Sequence, residues 1–149
     1  MIPKNNLIIL AKWKLADWKV LLNENCIDDS VYLCWYWIEI ALKHSICKMF
    51  KFGEWFPENP GEFETYSRQQ GSNLPLKEVI KDIRQIKNHD LNKLLFFSWL
   101  EPKIKEQYLE EWEVIIRWNE SLRYEINHAT QEEAGKFINS TEILLNFIL

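Results

Sequence analysis

Gly53, Pro57, Pro60, Gly61, Gly71 and Pro75 all lie between residues 53 and 75. Glycine and proline both interrupt regular backbone. Crowding them into one stretch leaves long breaker-poor runs on either side. In those runs apolar residues recur every three or four positions, which is the helical period. No segment alternates apolar and polar residues between turns as a strand would. The pattern predicts an all-α bundle of four long helices with one or two short ones.

The first helix is expected over about Lys4 to Asn23, with Leu7, Ala11, Leu15, Trp18 and Leu22 on one stripe and Lys12, Lys14 and Lys19 off it. Asp28 or Asp29 is the expected cap of a second helix carrying Val31, Cys34 or Trp35, Ile38, Leu42, Ile46 and Met49. Tyr32, Tyr36 and Trp37 make that helix apolar on its other faces as well. A helix of this kind belongs at the centre of a bundle. Residues of about 51–75 read as an irregular, enlarged connection. Pro75 is placed to open a short helix over 74–87, and Asp90 to cap another. After Glu101-Pro102 a long helix is expected over most of 103–127, striped by Ile104, Tyr108, Trp112, Ile115, Leu122 and Ile126. A last helix is expected over about 131–147.

The chain has 149 residues, which favours one domain spanning 1–149. At that length roughly 70% of the unfolded surface can be buried. A hydrophobic share of 47% with 14% aromatics argues against disorder. The formal net charge of −4 argues against a general nucleic-acid coat protein and leaves room for a local binding patch. No uncharged stretch approaches a membrane span, so no membrane role and a cytoplasmic location are expected. Cys26, Cys34 and Cys47 are odd in number and lack CxxC spacing, which speaks against a disulfide framework or a zinc site. No cofactor is indicated.

Three segments carry a family resemblance. Residues 11–46 form a helix ending in a leucine pair, a short connection, and a helix bearing Glu39 and, four residues on, Lys43. Residues 88–91, NHDL, contain a His-Asp-Leu that opens a later helix. Residues 122–148 place Arg123 and Tyr124 near the end of the long helix and follow them with an alanine-containing final helix. Together these resemble the HEPN domain (higher eukaryotes and prokaryotes nucleotide-binding) over about two thirds of the chain. Arg123 and His128 also match the R-x4-6-H pattern of HEPN ribonucleases. Those members usually carry Asn, Asp or His after the arginine. Tyr124 is closer to the branch linked to nucleotidyltransferases, where a proline often follows; here it is Glu125.

The resemblance implies a homodimer that cleaves RNA without a metal, of prokaryotic defence or toxin–antitoxin type. Its Arg and His pairs from two subunits would meet around one phosphate. The residue chemistry suits that role. A histidine can take the 2′-hydroxyl proton. An arginine fork matches phosphate oxygens and stays charged. Arg123 and His128 are five residues apart, about 140° around an ideal helix, so they share a face only if the helix ends between them. Asn119, Arg123 and Asn127 do share one. The alternative assignment pairs Arg123 with Glu39 inside the bundle, with His128 capping the long helix. Lys43 is read as a solvated helix lysine able to touch phosphate, and His89 as a turn and capping residue beside Asp90. Trp35, Trp37, Trp112 and Trp118 are expected in the core or at a dimer contact formed by the second and long helices. Two other functions fit the same sequence. One is a non-catalytic HEPN module binding a nucleotide or a nucleotidyltransferase partner. The other is a helical immunity or inhibitor protein with an acidic surface.

Overall fold

A computed structural model of the chain describes residues 3–53, 56–69, 82–118 and 129–149. Among the described residues the helices are α1 (Lys4–Asn23), α2 (Ile27–Met49), α3 (Pro60–Gln69), α4 (Leu91–Ser98), α5 (Glu101–Gln107), α6 (Leu109–Ile116) and α7 (Gln131–Ile148). A 3-10 turn at Ile83–Gln85 precedes α4, and none of these residues forms a strand. No helix among them is long and apolar enough to cross a membrane.

α2 is the axis of the bundle, and α1, α4 and α7 pack around it. Val31, Cys34, Ile38, Ala41, Leu42, Ile46 and Cys47 are fully buried along it, and Trp35 and Trp37 are nearly so. Ile38 and Leu42 meet a shell that includes Leu94 of α4 and Phe137 and Leu144 of α7, all fully buried. Each such side chain contributes about 1.5–3 kcal/mol on burial. The four tryptophans singled out from sequence lie in or against the core: Trp112 is buried, and Trp118 packs edge-on against Phe137 at 5.8 Å. Among the large apolar side chains of α2, Tyr32 and Met49 remain exposed.

Both ends of α2 are set by left-handed residues that are not glycine. Asn25 (φ 59°) ends α1, with Cys26 N–H bonded to Leu21 O and Asn25 N–H to Leu22 O. Lys51 (φ 50°) ends α2 the same way, with Phe52 N–H bonded to Cys47 O and Lys51 N–H to Lys48 O. Both are Schellman closures, which satisfy the last helical carbonyls and turn the chain back. α2 begins at Ile27, one residue ahead of the expected caps. Asp28 and Asp29 instead lie in its first turn, where the helix dipole favours them. Asp28 also accepts from the Ala129 N–H at 3.4 Å, joining the chain before α7 to the start of α2.

The expected irregular connection contains a helix. Asn59 Oδ1 accepts from the Glu62 N–H, Asn59 Nδ2 donates to Glu62, and Pro60 occupies the first helical position of α3. This Asn-Pro-Gly-Glu start was hidden by its own breakers, since proline at the first turn costs no hydrogen bond. Phe63 and Tyr66 of α3 pack on Phe52, with Phe50 and Phe56 completing the cluster at 5.6–6.4 Å between centroids. A Cβ on Gly53 would meet the Tyr66 ring at 3.1 Å, so this close approach suits glycine. The helix expected over 74–87 does not reach its predicted end. Asp82 is extended, and only the 3-10 turn follows; residues 74–81 lie outside the described residues.

The long helix expected from 103 is broken at Tyr108 (φ −137°, ψ 31°) into α5 and α6. Its apolar spacing is intact, with Ile104, Trp112 and Ile115 buried. The Tyr108 ring sits against Phe147 of α7 at 4.7 Å. Packing against α7 therefore overrides the local period. Residues 119–127 of that expectation lie outside the described residues. Asp90 caps α4 as expected, accepting from the N–H groups of Asn92 and Lys93. α7 runs to Ile148 behind a full capping box of Thr130 and Glu133.

Burial separates the thiols. Desolvation pushes the Cys34 thiol from 9.0 up to about 12; the Thr141 hydrogen bond opposes this and Glu142 adds to it. Iodoacetamide at about pH 8 should therefore label exposed Cys26 and spare Cys34 and Cys47 until urea is added, as read by intact mass. The raised value also sets a sign for stability. The unfolded chain loses the Cys34 proton first, so this contribution is whole below pH 9 and fades as pH rises towards 12.

Candidate functional site

Glu39 sits mid-way along α2 with only 2% of its surface exposed. A carboxylate there must be neutralised and hydrogen-bonded. Lys43, one turn on, places Nζ 2.5 Å from Oε1. His89, fifty positions along the chain, places Nδ1 2.9 Å from Oε2. The Lys43 side chain is 17% exposed and that of His89 53%. The buried acid thus connects inward to α2 and outward to a half-open imidazole. Lys43 is not the solvated lysine that its sequence context suggests.

The backbone around His89 is closely held. Asn88 Nδ2 donates to Gln85 O at 2.8 Å, and Asn88 Oδ1 accepts from the Asp90 N–H at 3.1 Å. Asp90 in turn caps α4. His89 stands between these two fixed residues, and its ring lies 6.4 Å from that of Trp35. An ionised carboxylate only accepts, so the contact with Glu39 calls for a proton on Nδ1, and in the neutral ring Nε2 then carries the lone pair.

Beside Glu39 a shallow groove of about 150 Å³ runs between Tyr36, Ile40 and Lys43 of α2 and the facing Phe56, Glu58 and Lys87. Lys87 closes its far wall by donating to the Glu58 carbonyl at 2.7 Å. Lys43 Nζ also lies 5.8 Å from the centre of the Phe56 ring. Desolvation first, and then the charges of Glu39 and Tyr32, push the Tyr36 phenol above its ordinary value of 10.0, so it remains a donor at neutral pH. No group of three His, Cys, Asp or Glu residues among those described could hold a metal ion.

Of the residues singled out from sequence, the structure brings Glu39 and Lys43 together and adds His89. His44 is buried in α2. Asn119, Arg123, Tyr124, Asn127 and His128 lie outside the described residues, and so does the expected pairing of Arg123 with Glu39. The Glu39–His89 contact carries no local sequence signal, because it joins α2 to the turn ahead of α4, fifty positions away. No family model, no curated protein and no solved structure matches this chain.

Removing one member of the Glu39–Lys43 pair should cost more than removing both. Lys43→Met leaves the buried carboxylate without its ammonium and is expected to destabilise by about 3 kcal/mol. Adding Glu39→Leu should recover part of that loss, as measured by urea unfolding. A double variant no more stable than Lys43→Met alone would show that the pair is not coupled.

Proposed function

We propose that this chain is a HEPN-type protein acting as a homodimeric, metal-independent endoribonuclease of prokaryotic defence or toxin–antitoxin type. The observation that carries this reading is the meeting of Glu39 and Lys43 with His89. These residues come from two separate motifs of the family resemblance. Arg123 and His128 are the proposed catalytic pair, with the arginine stabilising charge on the phosphorus centre and the histidine transferring a proton at the reacting phosphate. Asn119, Tyr124 and Asn127 flank them in sequence, and Glu39 and Lys43 support the site. A second copy would use the apolar side chains left outside the bundle. Leu109 and Ile116 lie two turns apart on one face of α6, and Phe96 and Trp99 are exposed at the end of α4.

One observation favours a second reading. Tyr124 stands where the ribonuclease members usually carry Asn, Asp or His. It favours a non-catalytic HEPN module that binds a nucleotide or a nucleotidyltransferase partner.

The two are separated by incubating purified protein with mixed RNA in chelator. The ribonuclease reading expects cleavage that leaves a cyclic phosphate, abolished by His128→Ala and by Arg123→Ala. It also expects a dimer mass by light scattering. Cleavage that persists in His128→Ala or requires magnesium refutes the mechanism, and intact RNA throughout favours the binding module.

A further inference from the structure

We propose that His89 is a second proton-transfer residue, presented to an RNA 2′-hydroxyl by the buried carboxylate of Glu39. The assignment deepens the ribonuclease reading and rests on it. Four features of the site argue for it. Glu39 is almost fully buried, and its Oε2 is 2.9 Å from His89 Nδ1. Lys43 on Oε1 balances the carboxylate, so the pair with His89 needs no imidazolium to be neutral. Asn88 and Asp90 fix the backbone on both sides of the histidine. The imidazole is nevertheless half exposed, which a residue serving only the core would not need.

A carboxylate behind an imidazole selects the tautomer and orientation of the ring. Here the Nδ1–H faces Glu39, and Nε2 is the proton acceptor. In the proposed step Nε2 removes the 2′-hydroxyl proton as that oxygen bonds to phosphorus. The bond from phosphorus to the 5′-oxygen breaks, and a protonated His128 gives the leaving oxygen its proton and regains one from water. The products are a 2′,3′-cyclic phosphate and a 5′-hydroxyl. His89 later returns its proton to solvent. Glu39 is a positioning residue in this scheme and does not touch the substrate.

The test has two independent arms. In the first, ring nitrogen shifts of the full-length protein are recorded by NMR at about pH 8.5, above the ordinary imidazole range. The expected result is a protonated Nδ1 and an unprotonated Nε2 on His89, lost in Glu39→Leu. A proton on Nε2 in the wild-type protein overturns the proposal whatever the variant does. In the second arm, wild type and His89→Ala are compared on single-stranded RNA in chelator. The expected loss in rate is about 10²-fold or more, with partial rescue by free imidazole. Wild-type rates in His89→Ala overturn the role of His89 and leave the ribonuclease reading standing. No cleavage by the wild-type protein overturns RNA as the substrate, while the first arm still reports on the histidine.

Discussion

The bundle is organised by the need to cover one helix on most of its sides. α2 is apolar on most of its faces, so it cannot lie on a surface as an ordinary amphipathic helix would. Burying it takes α1 from one direction, α4 from another and α7 from a third. The shorter elements then follow. α3 is held by an aromatic cluster that grows from the C-terminal turn of α2, and α6 is held through α7. An apolar axis makes the fold stable and also makes any charge on it expensive.

Glu39 is such a charge. A carboxylate at that position is tolerated because Lys43 follows at one helical turn and the start of α4 delivers His89 to its other oxygen. Replacement of a buried pair by apolar residues is often neutral or stabilising, so the pair is weakly explained by stability alone. It connects to a half-exposed imidazole and borders a groove edged by Lys87.

What could be read in advance followed from local rules. α1 spans the predicted residues, Asp90 caps α4, and α7 begins at Gln131 as expected. The four-residue spacing of Glu39 and Lys43 already placed them on one face. What could not be read depended on distant partners. Tyr108 leaves the helix because Phe147 is there to receive its ring. The start of α3 looked like a loop because Pro60 and Gly61 are breakers everywhere except in a first turn. Asn25 and Lys51 close their helices without the glycine that usually marks such an end. His89 does sit in the turn beside Asp90; what the sequence could not show is its partner, fifty positions away.

The contact between Asp28 and Ala129 spans 101 residues of chain, and α7 covers its side of α2 from the far end of that interval. Synthesis adds about 5–20 residues per second. For some seconds after α1 and α2 leave the ribosome, the flank of α2 destined for α7 has nothing to rest against. A nascent chain in that state displays a band of isoleucine, leucine and tryptophan of the kind that chaperones hold. The central helix that organises the finished bundle is, in the growing chain, an apolar surface still waiting for its cover.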